Sequence, residues 1–180
     1  KSINREPLMS PRRPLLVPAL ALILPIVFIP APPAQAAIVA TGNLTPTYDD
    51  TAPWDVGDVL VVGYDAPATL QIDAASEVNS EAGVLGGFDP ATGDVTVHGS
   101  GSAWNNTGGL IVGRGGTGTI NIENGGTVTN HTFAYVGHTA TATGNVHVTG
   151  PASTWNSAGD MHIGHLGAGT MNIENGAVVS

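Results

Sequence analysis

The sequence predicts an all-β chain wound as a right-handed parallel β-helix, a β-solenoid of about 25 residues per coil. Three observations carry that expectation. Trp54, Trp104 and Trp155 stand 50 and 51 residues apart in a shared register with other residues. Short apolar stretches alternate with period two, the signature of strands. All 25 glycines lie after residue 36, a density that helix interiors do not tolerate, since each costs about 1 kcal/mol relative to alanine there.

The register is tight. Nine residues after each tryptophan comes Gly63, Gly113 or Gly164, and six further on comes Thr69, Thr119 or Thr170. Each threonine opens one pattern: Thr69-Leu70-Gln71-Ile72, Thr119-Ile120-Asn121-Ile122 and Thr170-Met171-Asn172-Ile173. Val78, Val128 and Val179 follow at a common offset. Between these copies, Gly93-Asp94-Val95-Thr96-Val97 and Gly144-Asn145-Val146-His147-Val148 fill the same role, which halves the period.

Two inward columns result, Leu70, Val95, Ile120, Val146, Met171 and Ile72, Val97, Ile122, Val148, Ile173. Gln71, Thr96, Asn121, His147 and Asn172 form the outward column between them. Asp73, His98, Glu123, Thr149 and Glu174 form another, which sets His98 between two carboxylates, an arrangement that favours its charged form. A β-sandwich with strands every 8–12 residues fits the fixed register less well. A propeller matches only the 50-residue double unit.

Ahead of the repeats, Arg12 and Arg13 precede an apolar run from Leu15 to Ile29, and Ala34-Gln35-Ala36 supplies small residues before Ala37. This order of charge, apolar run and small residues is that of a secretory signal peptide, here residues 1–36. The run is shorter than the ~20 residues a membrane span needs, and Pro18 and Pro25 interrupt it. The chain opens with Lys1, so Met9 reads as a possible true start. Residues 37–53 are expected to form a cap or linker and 54–180 the solenoid, truncated within a repeat.

Charge and composition narrow the function. Residues 37–180 carry thirteen acids against one base, Arg114, a net of −12 with histidine neutral. Such a body repels phosphate backbones and anionic membranes, so no nucleic-acid partner is expected. The absence of cysteine removes disulfides, thiolate zinc sites and cysteine nucleophiles. The glycines of Gly113–Gly118 lead into a strand instead of the helix a dinucleotide loop needs. Thr119 stands where a calcium nonapeptide needs Asp. His98, His131, His138, His147, His162 and His165 read as solvated turn and strand-face residues, not metal ligands. Catalytic residues, cofactor and metal are therefore all read as none, and the chain as not an enzyme. The candidate site residues are Trp54, Trp104 and Trp155. Exposed, three indoles in line form a platform for sugar rings or protein partners; buried, they plug the turns between coils, and their register with the glycines favours burial.

The stretches Asn105–Asn130 and Gly144–Gly176, with their GxGSxW-like turn, apolar-Val-Gly step and Gly-Thr-apolar-x-Ile-x-Asn-Gly, resemble the repeats of autotransporter (type V secretion) passengers and of PEP-CTERM proteins. Asp73-Ala74-Ala75-Ser76 departs from the Glu-Asn-Gly-Gly pattern, as a capping coil would. The resemblance implies an exported structural or adhesive passenger at the bacterial cell surface or released from it, with a host-surface, matrix or polysaccharide ligand. Membrane attachment would come only through a C-terminal barrel or anchor beyond this chain. It equally implies a matrix protein associated with exopolysaccharide, or the passenger of a polysaccharide-acting enzyme whose site lies elsewhere.

Overall fold

The structure, a computed structural model, describes residues 37–48 and 52–180. The expected export signal, residues 1–36 with Met9, lies outside the described residues. Two short strands come first, β1 (Ala37–Gly42) and β2 (Leu44–Thr45). Five coils of three strands each follow. The first is β3 (Trp54–Asp55), β4 (Val59–Val62) and β5 (Ala68–Asp73). The second is β6 (Glu77–Ser80), β7 (Ala82–Leu85) and β8 (Thr92–His98). The third is β9 (Ala103–Asn106), β10 (Leu110–Val112) and β11 (Thr117–Glu123). The fourth is β12 (Thr127–Asn130), β13 (Ala134–Val136) and β14 (Thr143–Thr149). The fifth is β15 (Thr154–Ser157), β16 (Met161–Ile163) and β17 (Ala168–Glu174), and β18 (Val178–Val179) opens a further turn.

Corresponding strands of successive coils pair in parallel, so the coils build three six-stranded sheets. We call the sheet of the first strand in each coil the tryptophan sheet, the second the valine sheet and the third the long sheet. The expected solenoid is therefore the observed fold, and its long-sheet columns are those the sequence predicts: Ile120 pairs with Val95 and Val146, and Ile122 with Val97 and Val148. At the N-terminal end, β1 and β2 run antiparallel to β5 and β4 and cover their edges. That reversal occupies backbone groups that would otherwise template pairing with another chain.

The core is a stack of aligned columns. Leu70, Ile72, Val95, Val97, Ile120, Ile122, Val146 and Val148 of the long sheet are buried. Across from them, the tryptophan sheet contributes one column in which Trp54, Val78, Trp104, Val128, Trp155 and Val179 alternate. The valine sheet supplies a matching alternation of Leu60, Gly83, Leu110, Ala134 and Met161. Large residues thus share odd coils and small ones even coils. A methyl added at Gly83 would lie 2.6 Å from Cζ2 and 2.7 Å from Cη2 of Trp104, so the indole leans back over the coil that Gly83 leaves open. Close packing is met by pairs of coils. That is the physical origin of the 50-residue unit.

The indole N–H groups also reach back one coil. Beside the Trp/Val column runs a polar inward column, Ser80, Asn106, Asn130 and Ser157. Trp104 Nε1 donates to Ser80 Oγ at 3.1 Å, and Ser80 Oγ donates to Asn106 Oδ1 at 2.8 Å. Trp155 Nε1 donates to Asn130 Oδ1 at 2.8 Å, while Asn130 Nδ2 donates to Ser157 Oγ at 2.8 Å and Phe133 O at 3.2 Å. Buried polar atoms left unpaired are costly, and this chain of bonds satisfies them from coil to coil.

Two glycine columns bring the valine and long sheets together at a sharp corner. Gly113 turns the chain with φ of 76°, where a side chain is disfavoured. Gly118 lies across from it, and a methyl there would overlap the amide nitrogen of Gly113. The corner between the long and tryptophan sheets is closed by serines of the following coil. Ser102 Oγ accepts from Ala75 N at 3.1 Å, and Ser153 Oγ accepts from Gly125 N at 2.9 Å. The divergent Ala74-Ala75 keeps the left-handed turn of Asn124-Gly125, with φ of 51° and 64°.

Candidate functional site: three outer faces and the aromatic corner

Each sheet turns a different chemistry outward. On the tryptophan sheet the outward residues Asp55, Asn79, Asn105 and Thr129 bond one another up the stack. Asn79 Nδ2 donates to Asp55 Oδ1 at 2.8 Å, Asn105 Nδ2 to Asn79 Oδ1 at 3.0 Å, and Thr129 Oγ1 to Asn105 Oδ1 at 3.1 Å. This ladder spends its polar groups on cohesion.

The long sheet presents the expected polar column. A groove of about 360 Å³ runs across Asn121, Glu123, His147, Thr149, Asn172 and Glu174. Glu123 pairs with His98 and Thr149, and Thr149 with Glu174, so the expected register holds. Asn124 Nδ2 lies 3.0 Å from His98 Nε2, which ties His98 to the turn of the following coil.

The platform reading of Trp54, Trp104 and Trp155 gives way here. All three indoles are buried, at 2%, 0% and 0% exposure; Trp104 fills the space over Gly83, and Trp54 meets Tyr48 edge to face. They offer no surface to a ligand.

The aromatic surface lies instead on the valine sheet and at its corner with the long sheet. The column alternating with its core residues is Val61, Val84, Ile111, Tyr135 and His162, of which Val84 is itself buried, and it is more apolar than the outward columns of the other two sheets. Beside it, just past the turn glycines, stand Tyr64, Phe88, Arg114, His138 and His165. Tyr64 and Phe88 meet edge to face at 5.1 Å between centroids, and the Arg114 guanidinium lies 5.4 Å above the Phe88 ring. His138 and His165 stack at 5.5 Å, and Tyr135 stacks on His162 at 5.1 Å. Tyr64 and Phe88 are 42% and 46% exposed, enough to touch a ligand. Sequence reasoning missed this face because its aromatic residues do not recur at one offset. The usable signal was the position after each turn glycine: Gly63-Tyr64, Gly113-Arg114, Gly137-His138 and Gly164-His165.

Arg114 has His138 as its neighbour in the next coil, and His165 beyond that. Among the described residues no group of three or more His, Asp or Glu side chains is arranged to hold a metal ion. The His138 pKa is lowered, first by burial, then by the nearby His165 and Arg114 charges. Its Nδ1 is inaccessible and has no partner among the described residues, so a proton there would lack an acceptor. The unfolded chain therefore takes up that proton more readily than the folded one. Folded stability is expected to decline as pH falls below about 6.5, the ordinary histidine value, and to level off once the folded ring has also titrated. Thermal melts across that range should show the decline in the parent protein and a shallower one in His138→Gln. Parallel curves would contradict this account.

No family model, curated protein or solved structure matches the chain.

Proposed function

We propose that this is an exported repeat protein of the cell surface or extracellular matrix, a structural and adhesive, non-enzymatic β-solenoid of the autotransporter-passenger kind. The observation that carries this reading is the use made of the recurring residues. Each coil commits its repeated side chains to stacking on the next: the indoles, the polar inward column, the amide ladder and the turn serines. A chain organised this way presents a regular surface, one residue per column per coil, at a pitch of about 4.8 Å. The net charge of −12 in residues 37–180 keeps such a surface soluble.

Expressing the gene in its source cells and sequencing the N-terminus of the protein recovered outside them tests this. The expected result is a mature chain starting at Ala37, removed by protease applied to intact cells or found in the medium. A protein retained in the cytoplasm with residues 1–36 attached would contradict it. A surface-bound product released by disrupting exopolysaccharide would favour the matrix form of this reading over a barrel-anchored passenger.

A further inference from the structure

At the aromatic corner, a groove of about 330 Å³ opens between the second and fourth coils, walled by Phe88, Asp89, Arg114, His138, Thr139 and Thr141. Arg114 is the sole base in residues 37–180. Among the described residues its guanidinium forms no ion pair, and it lies over the Phe88 ring. The Asp89 carboxylate lines the same groove and likewise has no hydrogen-bond or ion-pair partner among the described residues. Opposite charges that line one groove without pairing leave a strong donor and a strong acceptor open together. Thr139 and Thr141 donate to the carbonyls of Arg114 and Gly115 at 2.8 and 3.0 Å, which leaves their oxygen lone pairs free to accept.

We infer that this groove is a binding site for a neutral saccharide, a hydroxylated ring from a neutral polysaccharide chain. Adjacent ring hydroxyls both donate and accept, so one sugar can satisfy Asp89 and Arg114 at once. The C–H face of the ring then has the exposed half of Phe88 to cover. The volume is at the lower end of small-molecule sites, suited to one or two sugar units with the rest of the chain outside. Charge selects the neutral class. A polyanion would meet one Arg against a body of net −12, whereas a neutral polymer meets no such barrier. This site supplies a ligand class for the adhesive part of the function proposed above, and rests on that reading only for where the sugar is met.

The test uses the purified chain, so its outcome does not depend on localisation. Affinity electrophoresis against dextran, a β-glucan and a galactomannan, with alginate as the polyanion, measures retardation by each polymer. Retardation by at least one neutral polymer, unchanged by added salt, is expected. Arg114→Ala and Asp89→Asn should each weaken it about tenfold, the loss of one charge-assisted hydrogen bond, with melting temperatures unchanged. Asp89→Asn keeps the shape of the groove and decides the matter where Arg114→Ala disturbs Phe88. The inference is overturned by no retardation in any neutral polymer, by salt-sensitive binding to alginate instead, or by folded variants that bind like the parent.

Discussion

Replacing Trp104 with alanine is expected to cost about 4–5 kcal/mol, a large share of the roughly 5–15 kcal/mol that stabilises a domain. The ring is fully buried, and its removal opens a cavity over Gly83, which has no side chain to fill it. The Ser80–Asn106 pair also loses the indole donor that reaches Ser80 Oγ. Trp104→Phe should recover much of the loss, since it restores volume without the N–H. Thr96→Ala on the outward column should change stability by less than about 0.5 kcal/mol. Urea unfolding of the three variants measures this. A loss below about 1 kcal/mol for Trp104→Ala would mean that the indole does not pack between coils.

Gly118→Ala is expected to destabilise the chain by at least about 3 kcal/mol, although it adds a single methyl group. Overpacking is tolerated where a flexible side chain can move aside. Here the new carbon meets the amide nitrogen of Gly113 and the carbonyl carbon of Val112, both backbone. Gly118 pairs in register with Gly93 and Gly144, so a shift to relieve the clash would displace neighbouring coils too. Circular dichroism melts should show a much lower midpoint or no cooperative transition. A midpoint close to that of the parent would show that the corner between the valine and long sheets is looser than its glycine columns indicate.

The sequence made the long sheet legible because its columns repeat in chemistry as well as in spacing: Ile120-Asn121-Ile122 and Val146-His147-Val148 alternate in the same phase. The recurrence of tryptophan every second coil was equally visible. Its cause was not, because it depends on volumes compared across sheets, with Trp104 set against Gly83. The three-sided cross-section was also hidden. Leu110–Val112 and Ala134–Val136 are three residues long, too short for alternation to mark them. The candidate site was the least legible part. Tryptophan is the obvious residue to cast as a platform, yet the fold buries all three, while Tyr64, Phe88 and Tyr135 reach the surface from unrelated offsets. The groove brings Asp89 and Arg114 together from successive coils, a juxtaposition that only the stacking creates.

The stacking itself is open to one direct measurement. The chain has no cysteine, so introduced pairs report without background. Thr96 and Asn121 face outward and are register partners in neighbouring coils. Their Cα atoms should be about 4.8 Å apart, within disulfide range, whereas Thr96 and His147, two coils apart, should be near 10 Å and beyond it. Mild oxidation of Thr96→Cys/Asn121→Cys is expected to give an intramolecular disulfide in nearly every molecule, and Thr96→Cys/His147→Cys essentially none. Failure of the first pair to close, or equal closure of both, would contradict a solenoid that returns to the same column every 25 or so residues.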